Sequence, residues 1–294
     1  MQPRVFAVLL VAVGVISAAA ILIKLAEAPA IIIAAYRLGV TGVLVGPTAF
    51  ALRRSELRDL DRQDWLLSLA SGAFLSLHFI FWISSLQLTS VASSVILVTT
   101  NPIFVGLGSV FILRERLPRA LIGGIVLVVL GGAMIGSGDL SLGGRALTGD
   151  LLALLGGIAH SGYLLIGQRV RAKMDALSYI AIVYGMAAVL TLIAAALSGM
   201  SFVGYPTMTY VWMVLLAIGP QIVGHSSYNW ALRYVSAAAV AVLILGEPVG
   251  ASILAFFILG EGLTWWKVVG GVLVLSGIYL ATQAEREPRA EVTD

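Results

Sequence analysis

The chain has 294 residues, of which 60% are hydrophobic and only 11% charged, with a mean hydropathy of +1.01; a water-soluble fold does not carry that balance, and the solvent it implies is a lipid bilayer. A net charge of +3 and a pI of about 9.3 then reflect the loops flanking a membrane rather than a nucleic-acid partner. With no cysteine in the sequence, disulfides, thiolate chemistry and cysteine-held metals are excluded.

The opening "MQPRVFAVLLVAVGVISAAA" has the Arg4, apolar stretch and Ala-rich end of a signal peptide, but the rest of the chain is equally apolar, so it reads as a first transmembrane helix. A hydrocarbon core of about 30 Å needs roughly 20 apolar residues per helix. The pattern predicts ten such spans, at 4-24, 30-52, 65-86, 91-113, 118-137, 148-168, 176-198, 208-232, 237-259 and 264-283, with no room for a soluble domain. Trp65, Trp212, Trp265 and Trp266 fall near span starts, where an indole anchors to the headgroup layer. Counting Lys and Arg on alternate sides puts 14 with the N-terminus, among them Arg53, Arg54, Arg114, Arg169, Arg286 and Arg289, against Lys24, Arg145 and Lys267 on the other side. That asymmetry predicts both termini in the cytoplasm. Arg37 is left inside a span.

The ninth span, "LILGEPVGASILAFFILGEGL", pairs with "LVTTNPIFVGLGSVFILRERL" in the fourth. At one offset of 146, Pro102 matches Pro248, Glu115 matches Glu261, Asn101 matches Glu247, Gly124 matches Gly270 and Gly131 matches Gly277. Such a period marks a duplication. Five spans per unit is an odd number, so the second copy enters from the opposite side. The expectation is an all-α integral membrane fold, ten transmembrane helices as two inverted five-helix repeats (1-140 and 146-285, then a tail 286-294) around a central cavity.

The duplication, the Tyr36-Arg37 pair, "NPIF…ILRERL" and "GEPVGASILAFFILGEGLTWWKVVGGVLVLSGIYL" resemble the EamA family of the drug/metabolite transporter superfamily over essentially the whole chain. Within it, the nearest likeness is to YddG-type exporters of aromatic amino acids. The resemblance implies a bacterial inner-membrane carrier with a cavity between its halves; the substrate does not follow from the fold.

Pro102 and Pro248 both fall about 11 residues into their spans, which at 1.5 Å per residue is the bilayer midplane. Proline cannot donate to the carbonyl four residues back, so Val98 and Ile244 are expected to carry freed C=O groups, tolerated at that depth only beside protein or water. The prolines therefore shape either a cavity, with Thr99 and Asn101 adjoining, or a packing kink. Glu247 is the most deeply placed carboxylate, and a central charge costs roughly 2.5–3.5 kcal/mol on insertion scales. It either joins a polar network with Arg37, or exchanges a proton, or meets a substrate amine.

Polar residues also recur on helical faces: Ser71, His78, Trp82 and Ser85 on the third span, His160 and Tyr163 on the sixth, and Gln221, His225 and Asn229 on the eighth. These face a cavity or another helix. Trp82 and Tyr228 are either cavity walls or interfacial anchors. Aromatic faces with isolated polar groups suit a partly apolar solute such as an amino acid. The GxxxG pairs Gly42/Gly46, Gly132/Gly136 and Gly246/Gly250 predict close helix contacts.

An enzyme is not expected. "GSGD" at 136–139 fits the GxGD pattern of intramembrane aspartyl proteases, but no second intramembrane aspartate accompanies it. There is no GxSxG elbow and no Walker A loop. A metal site would require the three histidines to converge from distant spans, and neither it nor any cofactor is expected. The sequence thus predicts a secondary carrier of a small molecule, an exporter of amino acids or related metabolites, working by alternating access. A carrier of drugs or nucleotide-linked metabolites is the alternative, and a passive channel or structural membrane subunit is the alternative from a different class.

Overall fold

The computed structural model describes residues 1–89, 91–136, 144–259 and 264–284. Glu261, Arg286, Arg289 and residues 137–139 of the "GSGD" stretch lie outside them. In chain order the elements are α1 (Pro3–Ile16), α2 (Ala19–Leu25), α3 (Ala30–Asp59), α4 (Arg62–Ser85), α5 (Val91–Val98), α6 (Asn101–Phe111), α7 (Arg119–Gly136), α8 (Gly144–Arg171), α9 (Ala176–Leu197), α10 (Thr207–Leu216), a π segment (Ala217–His225), α11 (Ser226–Ala231), α12 (Ala237–Ile244), α13 (Gly246–Leu259) and α14 (Trp265–Ala284). An all-helical chain is the physical answer to lipid, where each backbone polar group must be satisfied within the protein. Among the described residues, eight stretches are long and apolar enough to cross a bilayer, and Arg119–Met134 and Val268–Ala284 are shorter apolar helices. Each of the ten expected spans corresponds to one of these, in order.

Helix starts on the N-terminal face are marked by side-chain caps. Asp61 accepts from the Asp64 N–H (2.7 Å), Asp175 from the Leu177 N–H (2.9 Å) and Ser236 from the Ala239 N–H (3.2 Å), opening α4, α9 and α12. Glu56 adds to this at α9: its carboxylate accepts the Asp175 N–H (2.7 Å) and the Ser178 hydroxyl (2.6 Å). It reaches there because α3 runs on to Asp59 through a kink at Arg53, past the boundary at 52 that hydropathy marks.

Three spans expected to be continuous are broken. The first divides at Ser17–Ala18, the fourth at Thr99–Thr100 and the ninth at Leu245, while the eighth winds as a π segment around Pro220. Neither paired proline kinks a helix from within: Pro102 is the second residue of α6 and Pro248 the third of α13. Each therefore starts a new helix at a position where a missing N–H costs nothing. The Val98 carbonyl is packed instead of open to solvent, because it lies 2.7 Å from where a Cβ on Gly157 would stand, a fit that only glycine allows.

The helix pair α7 and α14 carries the mark of duplication. A Cβ on Gly131 would sit 2.5 Å from the Gly270 carbonyl oxygen, and one on Gly124 would sit 2.9 Å from that of Gly277. Since Gly124 is the repeat partner of Gly270 and Gly131 of Gly277, the contacts exchange partners as they do across a two-fold axis. The GxxxG pairs are less uniform. Gly246 and Gly250 meet Val13 and Ser17 of the first span, and a Cβ on Gly42 would meet that of Ala188 at 3.3 Å, but Gly46 has nothing within 4 Å.

Candidate functional site

The breaks in the fourth and ninth spans face one small central cavity. Val98, Thr99 and Asn101 line it from the first break, Ile244 and Glu247 from the second, and Ile16 from the end of α1. Asn101 and Glu247, the repeat counterparts, therefore meet the same space. α4 supplies His78 and Trp82, α8 supplies His160, and the π segment and α11 supply His225 and Tyr228.

The rings are ordered. His78 and Trp82, one turn apart on α4, have centroids 5.8 Å apart and planes within 13°. Across the helix interface His78 stacks on His160 at 4.5 Å, and His160 stacks on Tyr163 at 5.6 Å and 16°. Four rings from two helices thus form one stack, with offsets in the range that aromatic pairs prefer. Trp82 is 3% exposed and Tyr228 1%, which decides for cavity wall and against interfacial anchor for both. Trp65 and Trp265, at 38% and 59%, are placed as anchors should be.

Four of the residues expected at the cavity do not line it, nor does Arg37 of the expected polar network. Tyr163 ends the ring stack, Pro102 and Pro248 set the helix starts, and Gln221 lies behind on the π segment. Gln221 is paired with the buried cation: the Arg37 Nε–H donates to its Oε1 at 2.9 Å, and the guanidinium lies over the Phe79 ring at 4.0 Å. Arg37 and Glu247 form no direct ion pair among the described residues and act on each other only through space. Both Arg37 terminal nitrogens and Gln221 Nε2 are buried without hydrogen bonds.

His225 belongs to the site although its polar stripe alone did not single it out. All three histidines of the chain line the cavity, where convergence from distant spans was not expected. Sequence periodicity assigns a face on one helix, but not which helices bring their faces together.

The cavity is small: about 20 Å³ is open to water, room for about one water molecule and not for an organic solute. A larger space of about 510 Å³ opens near the N-terminal face, beside Glu115, Gln168, Arg169 and Arg233. At its wall Gln168 ties the halves together, donating to Glu115 at 2.6 Å and accepting from the Ala237 N–H at 2.5 Å.

A bundle of broken helices around a buried polar cavity is the architecture of a membrane transporter. The EamA-like transporter family model matches the chain twice, at residues 4–137 and 147–283, and the chain belongs to that family. It is a multi-pass membrane protein with a small-molecule substrate. An uncharacterized transporter of Archaeoglobus fulgidus is 25% identical over 232 residues, covering 76% of this chain and 78% of that one. The pseudopaline exporter CntI of Pseudomonas aeruginosa is 29% identical over 219 residues, covering 74% and 72%. A solved crystal structure superposes with a TM-score of 0.78 over 97% of this chain and 99% of its own, at 21% identity, a likeness of fold alone.

Proposed function

We propose that the protein is a secondary carrier that exports amino acids, aromatic or otherwise partly apolar, or related metabolites, by alternating access. The observation that carries this reading is the central cavity, where a stack of aromatic rings stands beside one carboxylate, Glu247. Rings supply apolar faces for a side chain, and the carboxylate supplies either a partner for an amine or a group that takes up and releases a proton. Export is supported by the relative named as an exporter. The halves that rock are residues 1-140 and 146-285, with 286-294 as a tail, a division supported by the two family matches at 4–137 and 147–283. The excess of Lys and Arg on the N-terminal side supports cytoplasmic termini in a bacterial inner membrane.

The test is uptake of labelled aromatic amino acids into liposomes holding the purified chain, with and without a pH gradient, for the native protein and Glu247→Gln. Saturable uptake stimulated by counter-substrate, with only its pH response lost in the variant, is the expected result. A folded protein showing no saturable uptake of any of them overturns the substrate class, and non-saturating flux overturns the carrier.

A further inference from the structure

We propose that the cavity on the N-terminal face is a loading site for the carried solute, in which Arg169 and Arg233 hold a carboxylate and Glu115 holds an amine. This rests on the reading of the protein as a carrier of amino acids and adds a second site, apart from the central one.

The space has the size and the walls for such a solute. About 510 Å³ is open there, within the range of small-molecule sites, whereas the 20 Å³ or so of the central cavity takes no organic solute. Both halves build it: Leu113 and Glu115 come from the first, and Arg169, Leu232, Arg233 and Tyr234 from the second. Tyr234 is 46% exposed and packs against Trp230 with ring centroids 4.7 Å apart. It offers an apolar wall beside Leu113 and Leu232.

The charges suit a solute that carries both signs. Arg169 lies in the last turn of α8 and Arg233 just past α11. Both are exposed, and neither makes a hydrogen bond or an ion pair among the described residues. Two guanidiniums at one cavity repel each other until an anion joins them, and a carboxylate is a group that their fork geometry matches. Glu115 supplies the opposite sign. Its place is set by Arg114, whose φ of 57° is left-handed, and by its own N–H, which donates to the Ser109 carbonyl at 2.9 Å. One carboxylate oxygen accepts from Gln168 at 2.6 Å. The other has no hydrogen bond among the described residues and is an acceptor for an ammonium group.

The arginine pair belongs to one face only. At the offset of 146, Arg169 corresponds to Ile23 and Arg233 to Gln87. Ile23 is buried, and Gln87 donates to the Ala28 carbonyl at 2.9 Å. A solute is therefore captured from the N-terminal side, next to the Gln168 tie between the halves, and passes to the central cavity when that tie opens.

The test is calorimetric binding of phenylalanine, phenethylamine and 3-phenylpropionate to the purified full-length protein. The native chain is compared with Arg169→Gln, Arg233→Gln and Glu115→Gln, and with Arg58→Gln, an exposed arginine of α3 that does not line the cavity. Phenylalanine affinity is expected to fall roughly tenfold or more in each arginine variant, the worth of a hydrogen bond to a charged group, and to stay unchanged in Arg58→Gln. Phenethylamine, which has no carboxylate, is expected to bind the native chain and the arginine variants alike. Phenylpropionate, which has no amine, is expected to bind the native chain and Glu115→Gln alike. Absence of phenylalanine binding to folded native protein overturns the loading site. Saturable uptake of phenylalanine with its affinity unchanged in both folded arginine variants also overturns it and leaves the carrier standing. The expected analogue pattern without any uptake sinks the carrier reading and leaves the site.

Discussion

Gly131 on α7 and Gly270 on α14 touch backbone to backbone: a Cβ on Gly131 would stand 2.5 Å from the Gly270 carbonyl oxygen and 2.9 Å from the Val274 nitrogen. No side chain can give way there. Gly131→Ala is expected to force the helices apart and destabilise the protein by about 1–3 kcal/mol, as overpacking does. Gly46→Ala, with open space around it, is expected to be neutral or to stabilise by up to about 1 kcal/mol through helix propensity. Melting of both variants in one detergent checks the contrast.

Arg37 and Glu247 are both buried charges, but their removal should differ. Arg37 is 0% exposed, bonded to Gln221 and stacked on Phe79, so Arg37→Ala leaves a void and a widowed amide and is expected to cost about 2–4 kcal/mol. Glu247→Gln keeps the shape and removes a carboxylate without an ion-pair partner, and should lie within about 1 kcal/mol of native. Denaturation of both variants followed by intrinsic tryptophan fluorescence is the measurement.

Trp82 provides the outer ring of the stack. Trp82→Ala is expected to weaken binding of an aromatic solute by roughly tenfold or more, equivalent to about 1.4 kcal/mol or more, while Trp82→Phe retains most of it. Trp65→Ala, at an exposed helix start, leaves binding unchanged. Competition for labelled-solute uptake separates the three.

At the N-terminal face, Glu56 holds the start of α9 through two hydrogen bonds. Glu56→Ala is expected to cost about 1–2 kcal/mol, the range of a lost helix cap. Arg53→Ala, which removes a 3.3 Å ion pair to Asp175 whose side chains are 47% and 35% exposed, is expected to cost less than about 1 kcal/mol. Thermal melting at low and high salt distinguishes them, since only the ion pair is screened.

Hydropathy alone located ten spans, because lipid demands an apolar length that few other structures share. The offset of 146 located the duplication, and polarity at depth picked out His78, Trp82, Asn101, His160 and Glu247, all of which line the cavity. What the pattern did not reveal was where helices end inside the membrane. Proline at 102 and 248 is compatible with a kink or a helix start, and only the breaks between α5 and α6 and between α12 and α13 distinguish them. The break at Ser17 has no proline and the π segment preserves an apolar pattern, so neither leaves a local trace. The association of Arg37 with Gln221 instead of Glu247 depends on helix rotation, which a periodicity of 3.6 residues does not specify.

The break at Ser17–Ala18 also departs from the repeat. Its counterpart at the offset of 146 is Tyr163, inside the uninterrupted α8, and the Ser17 hydroxyl reaches the Glu247 carbonyl at 3.4 Å. Under the proposed alternating access, two identical halves would give two end states of equal energy related by a two-fold rotation. The helix break present in one half and lacking in the other would remove that degeneracy, so under the proposed alternating access the resting population would be biased toward one side of the membrane before any solute binds.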